Sequence, residues 1–209
     1  MLMGVLLAAT VLALSAPAGA ELVGFERITG NASVDVAGQL WVDVIDAGGN
    51  QVLFWFSNSG PIASSITDVY FDDGSLLGIA SVVDGTGVDF EQGASPGNLP
   101  GGNDASPPFV ASAGFTADSE PPTQPNGVNP SEWLKIFFDL QAGRTFADVL
   151  EDLESGELRI GLHVQAIGAE GESDSFVNTP PSRPIPEPAT MLLLGGGLLG
   201  LAGLRRRRR

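Results

Sequence analysis

Leu158-Arg159-Ile160-Gly161-Leu162-His163-Val164-Gln165-Ala166 decides the fold class. Leu158, Ile160, Leu162, Val164 and Ala166 fall on one side of an extended chain, while Arg159, His163 and Gln165 fall on the other. Side chains that switch environment at every residue are the signature of a strand with one face in a core and one toward solvent. Working outward, Trp133 to Leu140 repeats the pattern, with Leu134, Ile136, Phe138 and Leu140 on one face and Lys135 and Asp139 on the other. Gln39 to Asp46 and Val52 to Ser57 are apolar runs joined by Ala47-Gly48-Gly49-Asn50, a loop whose glycines and asparagine tolerate positive φ, and read as a β-hairpin. Ser65 to Phe71 and Leu76 to Val83 form a second such pair around Asp72-Asp73-Gly74-Ser75.

One segment departs from the two-residue period. In Thr145 to Glu154, Phe146, Val149, Leu150 and Leu153 recur at helical spacing, with Thr145 suited to the N-cap and Gly156 just past the end. Gly93 to Pro108 and Ser119 to Pro130 are rich in Gly, Pro and Asn and read as surface loops too polar for a core. Many short strands, tight turns, one short helix and no βαβ rhythm predict an all-β protein: a single antiparallel β-sandwich over residues 21–178. No repeat of fixed period argues for a solenoid or propeller.

The ends differ in character. Residues 1–20 read as a signal peptide, with an apolar run from Val5 to Leu14 and Ala18-Gly19-Ala20 suited to cleavage before Glu21. No Lys or Arg precedes that run, so the basic region usual for such a segment is missing. Of 25 acidic and 10 basic residues, Glu187 and five terminal arginines belong to the tail, which leaves 24 acidic against 5 basic residues between 21 and 185. Such a charge repels nucleic acid and anionic membranes. The absence of cysteine excludes thiol catalysis and disulfides, leaving the core to carry stability.

The C-terminus reads Pro186-Glu187-Pro188, then an uncharged span over 189–204, then Arg205, Arg206, Arg207, Arg208 and Arg209. As a helix those sixteen residues would cover about 24 Å, against a hydrocarbon core of about 30 Å, so the span crosses only with help from thinning and from arginine stems. The arginines place that end in the cytoplasm and everything upstream outside. Gly196 and Gly200 keep the G-x-x-x-G spacing that lets helices approach, or simply suit the membrane. Prolines over 179–188 make a stiff, accessible linker.

Tripeptide, span and arginine cluster, in that order, resemble the sorting signal of PEP-CTERM proteins. The resemblance implies export, a membrane-held intermediate, processing by an exosortase as partner, and delivery to the surface or extracellular matrix of a Gram-negative bacterium, with exopolysaccharide as a further partner. It covers only the tail and leaves the cargo undefined.

For the cargo, three kinds of chemistry compete. His163 is the only histidine and no Ser lies in a G-x-S-x-G context, so a triad, a zinc site and any assigned catalytic residue are disfavoured. Asp68, Asp72 and Asp73 surround the second turn and are candidate calcium ligands, with Asp84, Asp89 and the loop Glu170 to Asp174 of the same type, though none fits an EF-hand spacing. Trp41, Trp55 and Trp133 could stack on sugar rings, but their apolar neighbours favour core packing. A non-enzymatic structural or adhesive protein without a required cofactor is the expectation; a calcium- or carbohydrate-binding module and a polysaccharide hydrolase are its rivals.

Overall fold

A computed structural model describes residues 20–181. The Pro-Glu-Pro motif, the apolar span, the arginine cluster and all of the expected signal peptide but Ala20 lie outside the described residues, as does most of the linker. Among the described residues the strands are β1 (Glu21–Arg27), β2 (Leu40–Gly48), β3 (Gln51–Asn58), β4 (Ser65–Asp73), β5 (Leu76–Asp84), β6 (Phe90–Gln92), β7 (Thr116–Ser119), β8 (Trp133–Leu140), β9 (Leu158–Ile167) and β10 (Glu172–Asn178). The helices are the short α1 (Thr123–Asn126) and α2 (Phe146–Ser155).

All strand pairings are antiparallel, in the order β5-β8-β3-β2-β1-β10-β9-β4-β7-β6. The antiparallel β content matches the sequence expectation, but the strands run in one continuous order. β1 joins the halves: Glu21 to Gly24 pair with β2, and Phe25 to Arg27 pair with β10. At the far edges, the Phe90 N–H at the start of β6 donates to Asp84 Oδ1 at the end of β5, 3.1 Å away. Two layers thus face each other while the order curls toward a barrel, which leaves little edge unprotected.

Between the layers, Phe54 from one half meets Phe71 from the other at 5.0 Å, and Phe71 meets Phe138 at 4.6 Å, both edge to face. Each such pair adds about 1 kcal/mol beyond area burial. Leu158, Ile160, Leu162 and Val164 join this core as their spacing predicts. The alternation ends at Ala166, whose φ of 52° sets it aside and brings Ile167 inward instead. This is a local irregularity in pairing with β10, where the register also shifts between Glu172 and Asp174.

The first hairpin forms as expected, with Gly48, Gly49 and Asn50 all at positive φ. The second does not. β4 pairs with β9 and β7 while β5 pairs with β8, so Asp72-Asp73-Gly74-Ser75 carries the chain from one half to the other. Three contacts hold that corner. Ser75 Oγ donates to the buried Asp152 of α2, and the Gln141 amide donates to Gly74 O and Leu76 O at 3.1 and 2.9 Å. Gly74, at φ +49°, lies so close to Leu158 that a Cβ would stand 2.8 Å from it. Helix α2 itself follows its sequence signals: Thr145 and Asp148 form a capping box, and Gly156 closes the helix in the left-handed region.

The Gly93 to Pro108 stretch also departs from its reading as a purely polar loop. Leu99 and Ala105, with Phe109 just beyond the stretch, fold onto the outer face of the second half and make a small core with Tyr70 and Val177. Gly161 admits them, since a Cβ there would meet Leu99 Cδ2 at 2.9 Å and Phe109 Cζ at 3.1 Å. From the Ser119 to Pro130 stretch, Val128 likewise enters the main core.

Asp174 organises the turn after β1. Its carboxylate, fully out of solvent, accepts from Thr29 Oγ1 at 2.7 Å, Asn31 N at 2.8 Å, Ala32 N at 3.0 Å and Arg27 Nη1 at 3.3 Å. Asp174→Ala would strand these donors and is expected to cost about 3 kcal/mol. Urea unfolding measures it, with Glu151→Ala on exposed α2 surface as a control expected within about 0.5 kcal/mol of the parent.

Candidate functional site

Two surfaces gather chemistry. The first is a polar cleft of about 320 Å³ on the second half, lined among others by Thr29, Asn31, Asp104, His163, Ser173 and Ser175. Two of its lining residues begin a row across the sheet that continues beyond the cleft: Ser175 on β10 stands opposite His163 on β9, which stands opposite Asp68 on β4, itself opposite Asp118 on β7. Direct cross-strand neighbours share a face and lie within side-chain reach. His163 Nδ1 lies 3.0 Å from Asp68 Oδ2. Thr67 Oγ1 donates to the same oxygen at 2.7 Å, and the Tyr70 hydroxyl sits between Asp68 Oδ1 at 3.4 Å and Pro96 O at 3.1 Å.

The row concentrates negative charge beside the cleft. Burial pushes the Asp118 carboxyl above its usual range, opposed by the Ser95 backbone N–H and reinforced by Asp68 and Glu91. Burial, then the charge of Asp68 and its hydrogen bond, push the Tyr70 phenol far above its ordinary value near 10. The Asp68 carboxylate orients the imidazole, as in a relay, and Ser175 stands on the ring's other side. Among the described residues, however, no hydrogen bond joins Ser175 to His163. The row holds an imidazole in place and leaves its serine unengaged.

The candidate calcium ligands divide between sites. Asp68 is committed to His163, Thr67 and Tyr70. Asp73 Oδ1 accepts from Ser112 Oγ at 2.7 Å. Asp72 is half-buried near Arg159, its carboxyl raised first by burial and then by Asp73, with Arg159 opposing. Among the described residues no three His, Asp or Glu side chains converge as a metal-binding group.

The second surface is the outer face of β1, β2, β3, β8 and β5, and here the reading of the tryptophans is overturned. Trp41, Trp55 and Trp133 are half-buried on this face, while their neighbours Val42, Phe54, Phe56 and Leu134 fill the core. The physical reason is parity: each Trp occupies a strand position opposite in phase to the core residues beside it. Register places Gly24, Trp41, Ser57 and Trp133 in one row and Leu22, Asp43, Trp55, Lys135 and Val83 in the next. Lys135 Nζ lies 4.1 Å from the Trp55 ring centre and 4.8 Å from that of Trp133, and the two indoles meet edge to face at 6.0 Å. The Trp41 ring lies over Gly24, where a Cβ would meet it at 3.3 Å.

His163 and Asp68 are 95 residues apart. Their pairing could have been anticipated only by placing β4 beside β9, since both stand at outward positions of their strands.

Among known proteins, residues 184–208 match the model of the PEP-CTERM protein-sorting motif. That motif implies exosortase-dependent sorting and export toward the cell surface. No curated protein and no solved structure matches the chain.

Tyr70 is the only tyrosine, so its ionisation can be followed alone. A folded-state pKa raised above the unfolded value means the stability linked to the neutral phenol is intact below about pH 10 and declines as pH rises further. Tyrosinate absorbance near 295 nm should therefore stay absent in the folded protein above pH 10 and arrive together with loss of β-sheet circular dichroism. Tyr70→Phe should reduce the alkaline fall in stability.

Proposed function

We propose that this chain is an exported protein, held at the inner membrane of a Gram-negative cell by its tail, processed there by an exosortase, and delivered to the surface or extracellular matrix for a non-enzymatic structural or adhesive role. The match over residues 184–208 carries the reading. The physical character of the tail supports it: sixteen uncharged residues give a helix of about 24 Å, short for a lasting anchor in a core of about 30 Å. A short span followed by five arginines suits a segment that is gripped, cut and discarded.

The domain's construction suits the same route. β1 begins at Glu21, so removal of residues 1–20 would leave all its pairings with β2 intact. β10 runs antiparallel to β1, and Thr179 N donates to Gly24 O at 2.9 Å. The chain therefore leaves β10 toward the end at which β1 starts. Signal peptide and sorting tail would both connect to one end of the domain, leaving the other end unencumbered. The high acidic excess keeps the delivered protein soluble and away from anionic lipid.

Mass spectrometry of protein recovered from the native cell surface tests this. The expected species begins at Glu21 and lacks Arg205 to Arg209; Pro186→Ala with Glu187→Ala should accumulate the uncut chain in the membrane fraction. Surface protein that retains the arginines would overturn exosortase processing and make the span a permanent anchor.

A further inference from the structure

The outer face of β1, β2, β3, β8 and β5 sets three half-buried indoles among polar side chains. Asp43 stands between Leu22 and Trp55 in register, half-buried, and among the described residues its carboxylate makes no side-chain hydrogen bond. Burial alone pushes its pKa up, with no hydrogen bond acting against it. Ser57 stands between Trp41 and Trp133, and its hydroxyl is likewise unpaired among the described residues. An acceptor beside Trp55 and a hydroxyl between Trp41 and Trp133 match a ligand that presents apolar ring faces and hydroxyl edges together.

We propose that this face, built round Trp41, Trp55 and Trp133 with Asp43 and Ser57 between them, binds a neutral glycan. Trp41 and Trp133 lie two strands apart, about 10 Å at the ordinary inter-strand spacing, so an extended oligosaccharide can rest on both while crossing Ser57. Lys135 holds the Trp55 and Trp133 rings before any ligand arrives, which lowers the ordering cost of binding.

The charge of the domain chooses the occupant. With 24 acidic residues against 5 basic ones over residues 21–185, the domain repels anionic polymers and a second copy of itself, whereas an uncharged polyol meets no such barrier.

The inference rests on the adhesive reading but is measured apart from it. Full-length chain in detergent is titrated with cellohexaose, maltohexaose, mannohexaose and, as an anionic control, polygalacturonate, following tryptophan fluorescence and heat. Saturable binding of at least one neutral hexasaccharide is expected, weakened at least tenfold by Trp55→Ala, Trp133→Ala or Asp43→Ala, with no binding of polygalacturonate. Because tryptophan removal could unsettle the sheet, Ser57→Arg provides a second variant: it places bulk and charge on the solvent side between two indoles and should abolish binding while leaving the melting temperature within a few degrees. No saturation by any neutral probe at millimolar concentration, equal affinity in these variants, or preference for polygalacturonate would overturn the proposal. Surface protein that is correctly processed but binds none of the probes would leave the export reading standing and remove this one alone.

Discussion

The structure depends on β1 belonging to both layers. Four of its residues hydrogen-bond β2 and the next three hydrogen-bond β10, so the strand has to turn from one layer to the other within its own length. Shared backbone pairing makes the halves a single hydrogen-bonded unit, while Phe54, Phe71 and Phe138 fill the space this creates. Neither is sufficient alone. Aromatic packing without β1 leaves two sheets with open edges, and pairing without the aromatic core leaves a ribbon with nothing to close around.

Closing the sheet in this way buries groups that would otherwise face water. The second layer has apolar side chains on its inner face and, outside, the small core of Tyr70, Leu99, Ala105, Phe109 and Val177. Asp68 and Asp174 therefore sit in a partly dry layer, and each is met by several donors, as buried carboxylates must be. Their partners are structural assignments first. Asp174 fixes the turn after β1, and Asp68 fixes a histidine and abuts the only tyrosine.

What could be read in the residues was local. Period-two alternation located the strands, and Thr145 with Gly156 bounded α2, because each signal depends on neighbours a few residues away. What could not be read was which strand lies beside which. Asp72-Asp73-Gly74-Ser75 has the composition of a hairpin turn, but Asp152, 77 residues beyond Ser75, helps make it a corner between layers. The tryptophans failed for a related reason. Trp133 shares the phase of Lys135 and Asp139, opposite to that of Phe138, so the alternation placed it outside while its apolar bulk and its apolar neighbours argued for the core. His163 and Asp68 were visible separately and joined only by register. The sorting tail, by contrast, was legible because its order of tripeptide, span and arginines is linear and needs no fold.

These differences in legibility follow the division of labour in the chain. A signal read by membrane machinery must act before or without folding, so it is written as consecutive residues. A binding face made by strands exists only once β1, β2, β3 and β8 are in register, since Trp41, Ser57 and Trp133 come from three strands and touch one ligand only through that register. The two adjoin in space all the same: Thr179, where the chain leaves β10, donates to Gly24 O, and Trp41 of the face lies over Gly24. The pairings that build the face lie wholly within β1, β2, β3 and β8, so the face is assembled whether or not the tail is still attached.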